Sequence, residues 1–299
     1  MQRAFGSFKI PGQTAGQWAI LLTAFLWSTS GLFIKLLPWH PVLISGIRSL
    51  IAFVFMAVVR VLFPPRGSAR NSKGPLWAGA ALYAFTMLSF TIANKLTASA
   101  NAILLQYSAP VWAALLGWVL IREKPRWEHW AALGLIAVGL FIFFQGGLAA
   151  GSLAGDAIAL LSGIAFGANT VVLRMMKSGS PSDSFLLSHL INFAWSIPFF
   201  FIAPPVFSLP TVMAILYMGI IQIGAASLFF SYGIKRVSAI QAMLTAMAEP
   251  VLNPVWVLVI TGERPPLPSL AGGAVIIAAV AGSSVISRSR IRTTPIPTG

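Results

Sequence analysis

Two stretches of this chain repeat one pattern, an arrangement few folds can accommodate. APVWAALLGWVLIREKP at 109–125 and EPVLNPVWVLVITGERP at 249–265 align Pro110 with Pro250, Glu123 with Glu263 and Pro125 with Pro265, an offset of 140 (250 − 110). The same offset carries Lys95 onto Lys235, and an offset of 139 (166 − 27) carries Trp27 onto Phe166 and Lys35 onto Arg174. Both copies lie among long apolar runs. Two weakly similar membrane halves in one chain are the mark of a transporter built by duplication.

The solvent follows from composition. Hydrophobic residues make up 57% and charged residues 9% of the 299 residues, against about 25% charged in soluble chains. A helix needs about 20 apolar residues to cross a hydrocarbon core ~30 Å thick. The apolar runs predict ten spans, at 17–36, 41–62, 75–95, 98–121, 127–146, 153–174, 184–203, 210–234, 238–260 and 267–287. Breaks fall on turn chemistry such as Pro64-Pro65, Gly146-Gly147, Pro204-Pro205 and Pro265-Pro266. The short tails 1–16 and 288–299 remain outside the spans. Arg3 and Lys9 precede the first run and no A-x-A-like cleavage site follows it, which reads as a retained helix.

The net charge of +14 is spread between apolar runs rather than over one soluble face, so it reads as a topology signal and not as a nucleic-acid surface. With ten spans and a cytoplasmic N-terminus, every Lys and Arg among the 20 is cytoplasmic except Lys35, Lys95, Arg264 and the intramembrane Arg48. Basic residues resist translocation, so both termini are expected inside. Each half then holds five helices, an odd number, and the halves are inverted with respect to each other. Inverted repeats around a midplane site are the physical basis of alternating access. Cysteine is absent, which rules out a disulfide framework and thiolate metal sites.

Five-helix repeats with a Pro in the fourth helix and a Glu-(Lys/Arg)-Pro turn into the fifth resemble the EamA type of the drug/metabolite transporter superfamily. The residues that carry the resemblance are Pro110, Glu123 and Pro125, then Glu249-Pro250, Glu263 and Pro265, with Trp27-Ser28 before Lys35 and Phe166-Gly167 before Arg174. It spans about residues 17–287. It implies an all-α membrane basket with a central cavity, the fifth and tenth helices peripheral, in a bacterial inner membrane, and most often an exporter. The halves differ where Ala109 stands in the place of Glu249, so the site need not be symmetric.

Charge inside lipid costs about 2.5–3.5 kcal/mol per residue, which makes the few polar positions informative. Glu249 falls near the middle of the ninth span and is the candidate for a substrate ammonium or a coupling proton; the alternative is a local role beside the helix-breaking Pro250. Arg48 is the candidate for a substrate carboxylate, or a snorkelling residue. Tyr83, Thr86, Met87, Phe90 and Asn94 share one face of the third helix. Trp27 and Ser30, Gln106 and Tyr107, Phe166 and Asn169, and Gln222 add rings and amides from other helices. Such a mixture suits a planar or zwitterionic guest; each residue has a bland reading as helix packing. His189, Asn192 and Ser196 share a face of the seventh helix and read as structural. Pro110 and Pro250 are hinge or bend positions. Gly117, Gly134, Gly139, Gly163 and Gly167 are expected at close helix contacts, and Glu123 and Glu263 read as turn residues.

An enzyme would need paired carboxylates, a metal cluster or an activated nucleophile. The six acids and three histidines are scattered, and no nucleotide or metal motif occurs, so no cofactor is implied. A channel would call for a symmetric oligomer or a charged filter. The expected partners are membrane lipid and a small solute, first an amino acid with preference for aromatic ones, exported by a secondary carrier. The alternative cargo is a cationic drug, or another metabolite such as a purine or sugar. No obligatory protein partner is evident.

Overall fold

The computed structural model describes residues 12–30, 33–34, 37–64, 71–97, 99–145, 152–261 and 267–293, and among them there is helix but no strand. Lys35, Glu263 and Pro265 lie outside the described residues. The elements are α1 (Gly12–Trp27), α2 (Pro41–Leu62), α3 (Lys73–Leu96), α4 (Ser99–Gln106), α5 (Ala109–Ile121), α6 (Trp127–Phe144), α7 (Leu153–Met175), α8 (Pro181–Ser196) and α9 (Phe199–Ile202). After α10 (Leu209–Tyr217) comes a π-helical segment, Met218–Ala225, then α11 (Ala226–Ile234), α12 (Ala239–Ala246), α13 (Ala248–Thr261) and α14 (Leu267–Thr293).

Among the described residues, six stretches are long and apolar enough to cross a bilayer: Pro41–Leu62, Lys73–Leu96, Asn101–Ile121, Leu153–Met175, Pro181–Ile202 and Leu209–Ile234. Trp127–Phe143, Ala239–Leu252 and Leu267–Ser283 are apolar but shorter. Boundaries follow local chemistry. Pro occupies the first turn of α2, α5, α8 and α10, where its missing N–H costs nothing. Ser152, Ser208 and Ser238 accept from backbone N–H groups at the starts of α7, α10 and α12. The first helix starts at Gly12 rather than 17, because the polar turn Gly12-Gln13-Thr14 continues the helix into the aqueous side. The last runs to Thr293 and includes Arg288, Arg290 and Arg292, which were expected in a tail.

Packing pairs elements from different halves. α3 lies against α7 and α8, α2 against α8 and the π segment, α1 against α11 and α12, α5 against α7 and α12, and α6 against α14. Exchanging the halves maps α3–α7 onto α1–α11, α3–α8 onto α2 and the π segment, and α2–α8 and α6–α14 onto themselves. The match reaches single residues. Gly16 fits against Arg236 and Val237, and Gly155, at the offset of 139 (155 − 16), fits against Leu96 and Thr97.

The glycines divide by what they face. Gly139 is pressed against Gly272 and Ile276, Gly163 against the Gln106 carbonyl, and Gly167 against Ala109 and Trp112. Gly134 has nothing within 4 Å of where a Cβ would sit, and Gly117 meets only a Val171 methyl at 3.8 Å. Those two are not close-contact positions: Gly134 faces outward on α6, and buried Gly117 on α5 has room for a methyl at ordinary contact distance. The tightest approach is Gly46 of α2 on Ser196 of α8, where a Cβ would overlap both side-chain atoms of the serine.

Gly46→Val should therefore push α2 from α8 and cost about 1–3 kcal/mol, seen as a lower melting temperature in detergent. Gly134→Ala should melt at or above the native temperature, because it adds helix propensity (~1 kcal/mol) with no clash.

Candidate functional site

Three interruptions in the helices converge on one place. α1 ends at Trp27 and turns at Ser28-Thr29, α4 and α5 are separated at Tyr107-Ser108, and α12 and α13 at Met247. The two hinge prolines are not mid-helix kinks. Pro110 and Pro250 each open the second piece of a broken span, in the first turn of α5 and of α13. Irregular backbone at membrane depth is tolerated where it is buried in protein or lines a cavity.

Such a cavity is present, with a volume of about 60 Å³. Its wall is Trp27, Ser30, Arg48, Tyr83, Thr86, Met87, Phe90, Gln106, Phe166, Gln222, Ile223 and Glu249. At ~10–15 Å³ per water it has room for about four to six waters. The helix-three stripe enters with Tyr83, Thr86, Met87 and Phe90. Asn94 does not; it bonds back to the Phe90 carbonyl at 3.0 Å. Asn169 is fully buried but is not in the wall, and its amide has no hydrogen-bond partner among the described residues. Tyr107 stands behind the wall, beside Glu249.

Trp27 and Phe166, equivalent by the internal repeat, meet edge to face at 5.6 Å between ring centroids. Trp27 also stacks on Phe230 at 5.5 Å. These contacts form an aromatic floor on the line where the halves join. Sequence reasoning missed Ile223, although the offset of 140 (223 − 83) carries Tyr83 onto it.

The polar side chains are only partly satisfied. Arg48 is 2% exposed; its Nη2 donates to Thr91 Oγ1 at 3.1 Å, and its Nε has no partner among the described residues. The Tyr83 hydroxyl and both amide atoms of Gln222 are likewise unpaired there. Gln222 comes from the π-helical segment, a feature frequent at functional sites. Glu249 sits in the first turn of α13, where the helix dipole favours negative charge. Thus Arg48, Tyr83 and Gln222 offer free donors, and Glu249 offers a carboxyl, in one small space. Among the described residues no three His, Cys, Asp or Glu side chains gather as a metal site requires.

Other polar groups are spent on packing. Asn192 donates to Ser45 Oγ and Ser49 Oγ at 2.8 Å each, His189 Nε2 lies 3.4 Å from Ser227 Oγ, and Ser196 Oγ donates to the Phe193 carbonyl. Gln106 Nε2 donates to Ser162 Oγ at 3.0 Å, so it lines the cavity with its position already set by α7.

The chain is similar to known proteins. The model of the EamA-like transporter family matches the chain twice, over residues 14–145 and 153–285. An uncharacterized transporter of Bacillus subtilis, YwfM, is 26% identical over 244 residues, 78% of this chain and 81% of the relative. An uncharacterized transporter of Archaeoglobus fulgidus is 28% identical over 269 residues, 89% of this chain and 94% of its own length. Human solute carrier family 35 member G1 is 28% identical over 195 residues, 60% of this chain and 52% of the human protein. A crystal structure superposes with a TM-score of 0.80 at 20% identity, covering 92% of this chain and 98% of the other, which shows a shared fold. With both halves matched and six stretches fit to cross a bilayer, this multi-pass membrane protein belongs to the EamA-like transporter family.

Proposed function

We propose that this chain is a secondary transporter of the bacterial inner membrane that exports amino acids, with preference for aromatic ones. Ten spans form two inverted five-helix repeats, 17–146 and 153–287, and the tails 1–16 and 288–299 are cytoplasmic. The halves rock about the central cavity and expose it to each side in turn. Support for ten crossings comes from the doubled family match, the exchange symmetry of the packing and the bias of basic residues.

The observation that carries the cargo assignment is the pairing of unpartnered donors with a carboxyl between aromatic walls. Arg48 Nε–H, the Tyr83 hydroxyl and the Gln222 amide suit a carboxylate. Glu249, beside Tyr107, suits the ammonium of the same molecule. Trp27, Phe90 and Phe166 supply apolar faces for its side chain. A cavity of about 60 Å³ is too small for a whole aromatic amino acid, so the Trp27–Phe166 floor or the outer mouth must move as cargo binds. A second reading, export of a cationic drug, is favoured by Glu249 being the one acid in the wall.

Proteoliposomes with labelled amino acids and a cationic dye separate these readings. A charge-assisted hydrogen bond contributes ~1.5–3 kcal/mol, so Arg48→Ala should cut amino-acid flux about 10–100-fold and leave dye flux near native. Amino-acid flux untouched by Arg48→Ala would rule out the carboxylate role. Glu249→Gln should abolish concentrative export driven by a pH gradient if Glu249 carries the coupling proton. Export against a gradient by that variant would show that coupling runs elsewhere.

A further inference from the structure

One ion pair ties three segments at the end of the bundle that holds most of the basic residues. α5 closes on Arg122 in the left-handed conformation (φ 57°), and Glu123 N–H donates back to the Gly117 carbonyl at 3.0 Å. That cap delivers the Glu123 carboxylate to the second half. Its Oε1 accepts from Arg174 Nε at 2.7 Å, and its Oε2 accepts from Ala239 N–H, the first residue of α12, at 3.0 Å. Arg174 Nη1 donates to the Ile234 and Lys235 carbonyls at 3.1 and 3.0 Å, at the end of α11. An anion at a helix start and a cation at a helix end both oppose the macrodipole charge. The pair therefore clamps the turn between α11 and α12 onto α5 and α7. Its side chains are 15% and 24% exposed, so water screens it only in part.

Between this clamp and the cavity lies an apolar cluster that includes Val171, Leu173, Ile234, Ala242 and Met243. A cargo leaving the cavity toward this end must part that cluster. α12 contributes Ala242 and Met243 to it, and the clamp fixes the start of α12. We infer that Glu123 and Arg174 are gating residues, whose pair holds the cytoplasmic mouth shut in this conformation and breaks when the cavity opens to that side. The inference rests on the transporter reading and its topology, and it assigns work to a glutamate that sequence alone presents as a turn residue.

The test needs no substrate, so it succeeds or fails apart from the cargo assignment. The chain has no cysteine, and Ala242→Cys, at a fully buried position of the cluster, is a clean reporter. In inside-out vesicles, a membrane-impermeant maleimide should label this cysteine about tenfold faster in the Glu123→Gln and Arg174→Gln backgrounds, corresponding to ~1.4 kcal/mol of lost closure. Ala132→Cys, buried in the separate cluster beneath α14, should keep its native rate. Equal rates at Ala242→Cys in all backgrounds would overturn the gate. So would equal acceleration at Ala132→Cys, which would mean a generally loosened bundle. Acceleration seen only in right-side-out vesicles would overturn the assignment of this mouth to the cytoplasm.

Discussion

Hydrocarbon supplies no donors or acceptors, and the interior of this bundle is organised by that deficit. Polar side chains turn inward and find one another: Asn192 reaches Ser45 and Ser49, Gln106 reaches Ser162, and Arg48 reaches Thr91. The same deficit bears on where backbone breaks. The turns at Ser28-Thr29, Tyr107-Ser108 and Met247 all adjoin cavity residues, namely Trp27, Gln106 and Glu249. Had these breaks faced lipid, each unsatisfied backbone group would cost several kcal/mol. The break at Ile197-Pro198, between α8 and α9, is exposed instead and lies near the end of its stretch.

Duplication supplies the geometry of the breaks. Exchange of halves relates the α1 contacts with α11 and α12 to the α7 contacts with α3 and α4. It brings Trp27 against Phe166. Residues at equivalent positions meet where the two halves join. What occupies the cavity around them is not symmetric, because Glu249 faces a half that has Ala109 at the matching place. The scaffold is therefore more symmetric than the lining.

Much of this was legible in the residues. The offset of about 140 located both halves, and rare polar positions in apolar runs pointed to Arg48, Gln222 and Glu249, which the fold gathers in one wall. Asn94 and Asn169 were equally conspicuous and fall outside that wall. Helical periodicity gives a face but not a depth, and Asn94 sits one turn beyond Phe90, where its amide bonds to its own helix. The role of Glu123 was illegible for another reason. Its partners, Arg174 and Ala239, are distant in sequence, and only tertiary packing brings helix ends together. The π-helical turn that carries Gln222 has no local sequence signal, since Met218–Ala225 reads as an ordinary apolar helix.

A second, larger hollow tests the choice of site. It measures about 440 Å³ and lies between α1, α12, α13 and α14, lined by residues such as Trp18, Leu21, Phe25, Val251 and Ile277. Volume alone would favour it over the central cavity of about 60 Å³. Chemistry decides otherwise. The larger hollow presents mainly apolar side chains, several of them on the outer surface of the bundle, so lipid tails can fill it at little cost. The central cavity holds Arg48, Tyr83 and Gln222 with unpaired donors, each costing ~1–3 kcal/mol if left unsatisfied. A chain keeps such groups buried only when something polar, water or a solute, comes to meet them. Those unpaired donors, and not the volume, mark the central cavity as the candidate site.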